Sequence, residues 1–474
     1  MKNTYTGYHF FFVILFCLLL NALPAQTNSF WRPLGNGLYP NTGWALYGDS
    51  VTQSLYVGGN FHNGKPPIYE TISLMRWYEG RWDTLVRTTS SEYVRSITRY
   101  RDKLYVGGVF NNFNGLGIAE PLVSYKEGEG WQATGVGFNG YVLGLKPSKN
   151  ELMVGGSFTH VNHVFTRGAA RFDGQTWQAI GDGASFPGPL PWNGHGVSHI
   201  VPYDGKIFMG GNSLGRHPND VSIDLAYFEN GTWYPDSVLY PGGSLTSVLD
   251  MEIFQGDLYI AGNFQEAWGD TANGILKYDG QQWHELGTGV IGIIRDMEVH
   301  QGELWVSGAI FEVDGVPAGG IAKWDGERWC VPSESIFDNI IMQMESWNDT
   351  LYILGGFWTI SGDSIRCVAA WTGSDSVAGC GPQRFISTDV EPASQYLFRP
   401  KWTVYQDMLY ITGVDPVSYP LEMRITDIQG RVVLKDKYEY PRSVSIGHLP
   451  SGVYIVQLKN RLGQSMHKKL KIFH

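Results

Sequence analysis

Cysteine is scarce in this chain, with 4 among 474 residues, which excludes a small disulfide-stapled scaffold. Charge is thin as well: charged residues make up 17% and the formal net charge is −10. Phosphate recognition needs a basic face, so this balance excludes a nucleic-acid binder. After residue 20 no apolar run approaches the roughly 20 residues that a membrane-spanning helix requires. Motifs that commit a chain to chemistry are missing too. There is no Gly-x-Ser-x-Gly elbow, no Walker loop, no His-Glu-x-x-His and no Cys-x-x-Cys pair.

What is present instead is glycine, at 60 residues, and aromatic side chains, at 14%. Together they suit short strands joined by tight turns. The length is enough for two or three domains.

The first 25 residues read as a signal peptide. Lys2 supplies a positive start, Phe10 to Leu20 forms an apolar run, and Ala22-Leu23-Pro24-Ala25 offers small residues for cleavage between Ala25 and Gln26. The run is too short to span a bilayer. Cys17 lies within it, after the bulky Phe16, where a lipoprotein signal needs a small residue. The mature chain would then keep Cys330, Cys367 and Cys380. One disulfide with one cysteine left over, or three buried thiols, are both compatible with that number.

Self-comparison is more informative. Leu55-Tyr56-Val57-Gly58-Gly59-Asn60-Phe61 returns as Leu104-Tyr105-Val106-Gly107-Gly108-Val109-Phe110 and as Leu152-Met153-Val154-Gly155-Gly156-Ser157-Phe158. Looser copies begin at Ile207, Leu258, Leu304 and Leu351, which makes seven. Each copy is followed by an aromatic strand end, a turn and a Trp, as in Phe172 to Trp177, Phe228 to Trp233 and Trp324 to Trp329. The turn is often Asp-Gly, a hairpin signal. An alternating strand precedes each copy, as in Val248-Leu249-Asp250-Met251-Glu252-Ile253-Phe254. Each unit therefore predicts four short antiparallel strands. One such sheet cannot bury both of its faces. Radial stacking of about seven buries every face, which is the β-propeller solution. In the double glycine a Cβ is expected to collide with a neighbour, or the backbone needs positive φ.

These residues resemble the kelch superfamily over roughly Phe30 to Cys380, with a double glycine ending the second strand and an aromatic and a Trp about six residues apart. The resemblance implies an all-β fold: a seven-bladed β-propeller. Trp31-Arg32-Pro33-Leu34-Gly35-Asn36-Gly37 matches Trp283-His284-Glu285-Leu286-Gly287-Thr288-Gly289, the outer strand of an interior unit. The seventh unit lacks that Trp, so the N-terminal strand is expected to complete the last blade.

Composition shifts after Cys380. Residues 381–400 hold three prolines and no repeat signal, so a linker is expected there. From 401 to 474 the chain predicts a small all-β unit, an Ig-like β-sandwich. Ile425-Thr426-Asp427-Ile428-Gln429-Gly430-Arg431-Val432-Val433, Leu449-Pro450-Ser451-Gly452-Val453-Tyr454 and the basic end His467-Lys468-Lys469-Leu470-Lys471-Ile472 occur in that order. They resemble the type A C-terminal sorting domain of the type IX secretion system of Bacteroidetes. The resemblance implies export through the periplasm and outer membrane, with the secretion machinery as partner, and a cell-surface or secreted location. Gly430, Arg431, Pro450, Gly452, Tyr454, Lys468 and Lys469 carry the match. Each has a plainer reading as well: turn glycines and lysines that keep an edge strand from aggregating.

For the propeller, a non-catalytic role is expected, binding a glycan or a surface protein through loops at one end of its channel. Phe186-Pro187-Gly188-Pro189-Leu190-Pro191-Trp192-Asn193 and Ala267-Trp268-Gly269-Asp270 place Trp192 and Trp268 in such loops. Galactose oxidase also uses a kelch-like domain, so a polysaccharide-acting or copper-dependent enzyme is the alternative. His160 with His163, and His195 with His199, are the pairs that could contribute ligands. A structural envelope component is the third reading. No catalytic residue, metal site or cofactor is predicted. Asp-Ser/Thr-aliphatic triplets, including those at Asp49, Asp83, Asp349 and Asp363, resemble a Bacteroidetes O-glycosylation sequon, but turns and strand starts favour the same residues.

Overall fold

A chain of short strands separated by Gly, Asp and Asn turns has one economical way to bury its aromatic residues: sheets stacked on sheets. The structure, a computed structural model, describes residues 30–373 and 401–472. The exceptions are 63–70, 89–91, 182–195, 217–221, 237–246, 413–420, 439–442 and 460–464, and gaps of one or two residues. The described residues hold strands and no helix.

Among the described residues before 374, seven antiparallel sheets each have a four-strand path, and three two-stranded sheets accompany them. Blade 1 holds Tyr39–Asp49, Ser54–His62, Thr71–Tyr78 and Arg81–Thr88, from the inside out. The inner strands of blades 2 to 7 are Tyr93–Tyr100, Val142–Ser148, Gly196–Tyr203, Ser247–Phe254, Val290–His300 and Ile341–Trp347. Each inner strand packs beside the next in chain order, and that of blade 7 packs on that of blade 1, so the sheets close a ring. The fold is an all-β propeller.

The outer strand of blade 7 is the N-terminal segment Trp31–Pro33, paired antiparallel with Val368–Trp371 so that Trp31 faces Trp371. Trp82 of blade 1 donates its indole N–H to the Leu34 carbonyl, just beyond that strand. Trp233 and Trp329 donate in the same way to Ile180 and Leu286 of the preceding blades. A buried indole needs such an acceptor, and here the acceptor ties one blade to the last.

The two glycines of the repeat do different work. A Cβ on the second would meet the blade's own inner-strand carbonyl: Tyr93 O at 2.2 Å from Gly108, Tyr141 O at 2.1 Å from Gly156, Gly196 O at 1.9 Å from Gly211. A Cβ on the first would meet a side chain of the next blade: Val94 Cγ1 at 2.3 Å from Gly58, Val142 Cγ1 at 2.5 Å from Gly107, Val248 Cγ1 at 2.6 Å from Gly210. Collision is thus the reason shared by both positions, and Gly308 of blade 6 adds a positive φ of 151°. The first position holds Ala261 in blade 5 and Ser307 in blade 6, whereas in blade 3 the Val197 carbonyl as well as its side chain stands against Gly155. At the ring closure the sizes reverse. Blade 7 carries Leu354 at this position, and blade 1 carries Gly43 where other blades carry Val or Ile.

The Asp-Gly turns are side-chain-capped. Asp173, Asp279 and Asp325 each accept two backbone N–H groups two and three residues on, while Gly174, Gly280 and Gly326 take positive φ. Cys330 is disulfide-bonded, whereas Cys367 is a free, buried thiol. Cys380 lies outside the described residues.

Residues 401–472 form two further sheets. Lys401–Tyr405, Met408–Thr412 and Ser443–Ser445 make one. The other runs Val432–Tyr438, Leu421–Asp427, Gly452–Lys459, Ser465–Ile472 in spatial order. Leu409, Ile425, Ile446, Val456 and Leu458 belong to their shared core.

Candidate functional site

An inner strand is the edge of its sheet, so every second N–H faces the channel or the next blade without a ladder partner. All seven inner strands solve this with a bulge at the same place. The bulged residues are Trp44, Arg95, Leu143, Ser198, Leu249, Arg295 and Met342, and all seven line the central cavity. A bulge re-aims the side chain at its extra residue. Here it turns one residue per blade toward the channel.

Deeper along the strands the channel wall becomes acidic. Asp250, Asp296 and Gln343 follow the bulges of blades 5 to 7, and Glu252, Glu298 and Glu345 lie two residues further on. These side chains reach sideways. Asp250 Oδ2 accepts the Met297 N–H at 2.6 Å, Asp296 Oδ2 that of Met344 at 2.7 Å, and Gln343 Oε1 that of Leu46 at 2.9 Å. Glu298 accepts from Ser346 at 3.2 Å and Glu345 from Gly48 at 2.8 Å. Each blade thereby satisfies the edge amides of the next. Lys146 of blade 3 reaches Glu252 of blade 5 at 2.8 Å, and between the adjacent blades 4 and 5 His199 Nδ1 lies 3.0 Å from Asp250 Oδ1.

Crowding carboxylates in a narrow wall has an electrostatic consequence. Burial, with Asp250 second, holds the Asp296 carboxyl well above the usual carboxylate range. Burial, then Glu345 and Glu252, does the same to Glu298. Burial pushes Glu345 up to about 8. Burial alone would lower Lys146, but Glu252 outweighs it and the ammonium is raised.

The bulge tier is different. Trp44 and Tyr93 lie with ring centroids 4.5 Å apart, and the Arg95 guanidinium sits 5.4 Å from the Trp44 ring centroid. Burial lowers the Arg95 pKa, and Arg295 adds repulsion. The cavity these tiers bound is about 360 Å³.

Sequence reasoning placed the ligand face in the loops of Trp192 and Trp268, and both residues lie outside the described part of the chain, as does His195. His199 instead belongs to the channel wall. His160 Nδ1 is within hydrogen-bond distance of Thr159 Oγ1 and Asn139 Nδ2. Among the described residues no three His, Cys, Asp or Glu side chains group as metal ligands would. Asp49 is buried and takes a bidentate contact from Arg99 of blade 2, at 2.6 Å for the shortest arm. The channel wall escaped notice because each repeat contributes only a few polar residues to it, set within an alternating strand. The recurring polar-Met-Glu triplets Asp250-Met251-Glu252, Asp296-Met297-Glu298 and Gln343-Met344-Glu345 were the available signal.

In the C-terminal unit, Asp427 accepts N–H groups from Gln429 and Arg431 and pairs with the Arg431 guanidinium at 2.7 Å. Gly430 completes that turn at positive φ. Tyr454 is buried and donates its hydroxyl to the Pro450 carbonyl at 2.7 Å. Gly452 opens the strand that carries Tyr454. Lys468 and Lys469 are exposed on the edge strand Ser465–Ile472. Ala25 and Gln26 lie outside the described residues.

Residues 405–472 match the family described as secretion system C-terminal sorting domain. This domain marks a protein exported through the type IX system to the cell surface or beyond. No curated protein matches the chain. Among solved structures, the extracellular domains of two hybrid two-component systems from B. thetaiotaomicron are each 11% identical, with TM-scores of 0.44 and 0.45. They cover 92% and 94% of this chain, which in turn covers 56% and 59% of theirs. PorZ, a surface component of the type IX secretion system of Porphyromonas gingivalis, is 13% identical with a TM-score of 0.38, over 96% of this chain and 61% of its own. The chain thus spans less than two thirds of the length of each of these structures.

Proposed function

We propose that the protein is a Bacteroidetes-type exported binding protein: a seven-bladed, kelch-like propeller that holds a glycan or a protein at the bulge-tier end of its channel. In this reading residues 1–25 are a signal peptide, 26–380 the propeller closed by its N-terminal strand, 381–400 a linker and 401–474 the sorting domain that engages the secretion machinery. The observation that carries the binding role is the convergence of Trp44, Arg95 and Arg295 on one cavity of about 360 Å³, with Tyr93 packed behind the Trp44 ring. Ligand sites combine apolar surface with a few converging polar groups in this way. A non-catalytic role is favoured because the carboxylates with raised pKa hydrogen-bond backbone amides of neighbouring blades, which gives them structural work.

Two experiments test the reading. A chain ending at Pro400 should accumulate in the periplasm, and normal delivery to the surface or medium would refute the sorting role. The purified exported protein, screened on a glycan array and against surface-protein extracts, should give binding that Ser198→Trp abolishes by filling the cavity. Binding indifferent to that substitution, or no binding at all, would refute the channel as the site.

A further inference from the structure

Charged side chains in the propeller wall have partners. Arg99 has Asp49, Arg76 has Asp83, Lys146 has Glu252 and Lys323 has Glu303. Arg95 is the exception in the cavity. Its guanidinium has the Trp44 ring beside it, and no acceptor among the described residues hydrogen-bonds it. The nearest like charge is Arg295, on the equivalent bulge of blade 6, which lines the same tier. The channel's carboxylates do not serve Arg95, for they bond the edge amides of blades 6, 7 and 1. Arg95 is half-buried and lines the cavity, so its guanidinium meets the channel with no counter-charge beside it, and a partly desolvated charge of that kind is eased by an arriving anion. Arg presents a planar fork that fits carboxylate, sulfate or phosphate oxygens in pairs.

We infer that the cavity takes a ligand bearing an oxyanion, a carboxylate, sulfate or phosphate substituent, which Arg95 binds directly with Arg295 across the tier and Trp44 beside it. This rests on the channel being the ligand site and names the chemistry of what enters it. The cavity volume suits one or two sugar rings, so the substituent would be carried on a small unit or at a chain end.

The test uses the full exported protein and four probes at matched ionic strength: D-glucuronate, inorganic sulfate, inorganic phosphate and, as the uncharged control, D-glucose. Saturable binding by calorimetry and a rise in melting temperature are expected for at least one anion, with roughly a tenfold or greater loss of affinity in Arg95→Gln. A response to glucuronate alone assigns a sugar carboxylate. A response to sulfate or phosphate assigns an ester oxyanion. Without ligand, Arg95→Gln should melt no lower than the parent, because it removes an uncompensated charge; a clear fall would make Arg95 structural and overturn the inference. Equal behaviour of anions and glucose, or anion binding unchanged in Arg95→Gln, would overturn it too. The channel reading fails separately: it falls if Ser198→Trp leaves glycan or protein binding intact, and it survives if that substitution blocks a ligand that Arg95→Gln does not affect.

Discussion

Trp31, in the first described strand, lies directly opposite Trp371, in the last strand of the propeller, with ring centroids 4.9 Å apart and planes inclined by 61°. Thr372 reinforces the junction by donating its backbone N–H to the Phe30 carbonyl at 2.7 Å. The two ends of the repeat region are therefore held by aromatic contacts of Phe30 and Trp31 and by a short ladder.

Removing residues 26–37 should accordingly lower the melting temperature sharply, because blade 7 would lose its outer strand and Trp82 its carbonyl acceptor. Trp31→Ala alone should cost about 3–5 kcal/mol, as large-to-small changes of a buried aromatic do. Thermal and denaturant unfolding check both, and an unchanged melt of the deletion would show that the ring does not depend on this strand.

The reversed sizes at the closure make a double-mutant test. Gly43→Val should be strongly destabilising, since a Cβ at Gly43 would lie 2.5 Å from Leu354 Cδ1. Leu354→Gly should destabilise by loss of a buried side chain. Together they recreate the valine-on-glycine packing of blades 1 and 2, so the pair should cost less than the sum of the singles, with coupling on the order of 1–3 kcal/mol. Additive losses measured in urea would refute the size-swap account.

Glu345 gives a pH dependence with a definite sign. Its carboxyl is raised to about 8 in the fold, so the protonated form is favoured there. The contribution is fully present below the ordinary Glu range and is lost as pH rises toward 8. Glu298 and Asp296 are displaced in the same direction, while Lys146 opposes the shift of Glu298 and Glu345. The melting temperature should therefore fall between pH 5.5 and pH 8.5. Glu345→Gln keeps an acceptor for the Gly48 N–H and removes the charge, so it should flatten that fall. An identical slope in the variant would show that Glu345 is not the titrating group.

Cys367 should resist alkylation in the native protein. It is buried, and burial pushes its thiol above the usual range, so little thiolate forms. Peptide mapping after iodoacetamide treatment should find Cys367 modified only when denaturant is present. Modification under native conditions would mean that blade 7 opens readily.

Much of this was legible in one dimension. The glycine strand and the aromatic-turn-Trp element recur with each blade because every blade meets the same two neighbours. The same local demand therefore selects the same residues. The Asp-Gly turns were legible for a similar reason, since Asp173, Asp279 and Asp325 cap their turns within three residues. The sorting domain was legible because its ordered stretches occupy consecutive strands and turns of one small unit. The charged channel was not. Arg95 and Arg295 sit four blades apart in the chain, and each reads locally as one polar residue in an alternating strand.

The sequence by itself determined the blades, their turns and the exported character of the chain, for these depend on contacts that repeat or lie close along the backbone. The tertiary structure alone decided two things. It set Leu354 against Gly43 at the closure, where the ring must accommodate its own ends. It also brought one bulged residue from every blade to a common axis, where Arg95 is left with an aromatic ring beside it and no counter-charge. Periodicity can say that such positions are equivalent; only closure of the ring makes them neighbours.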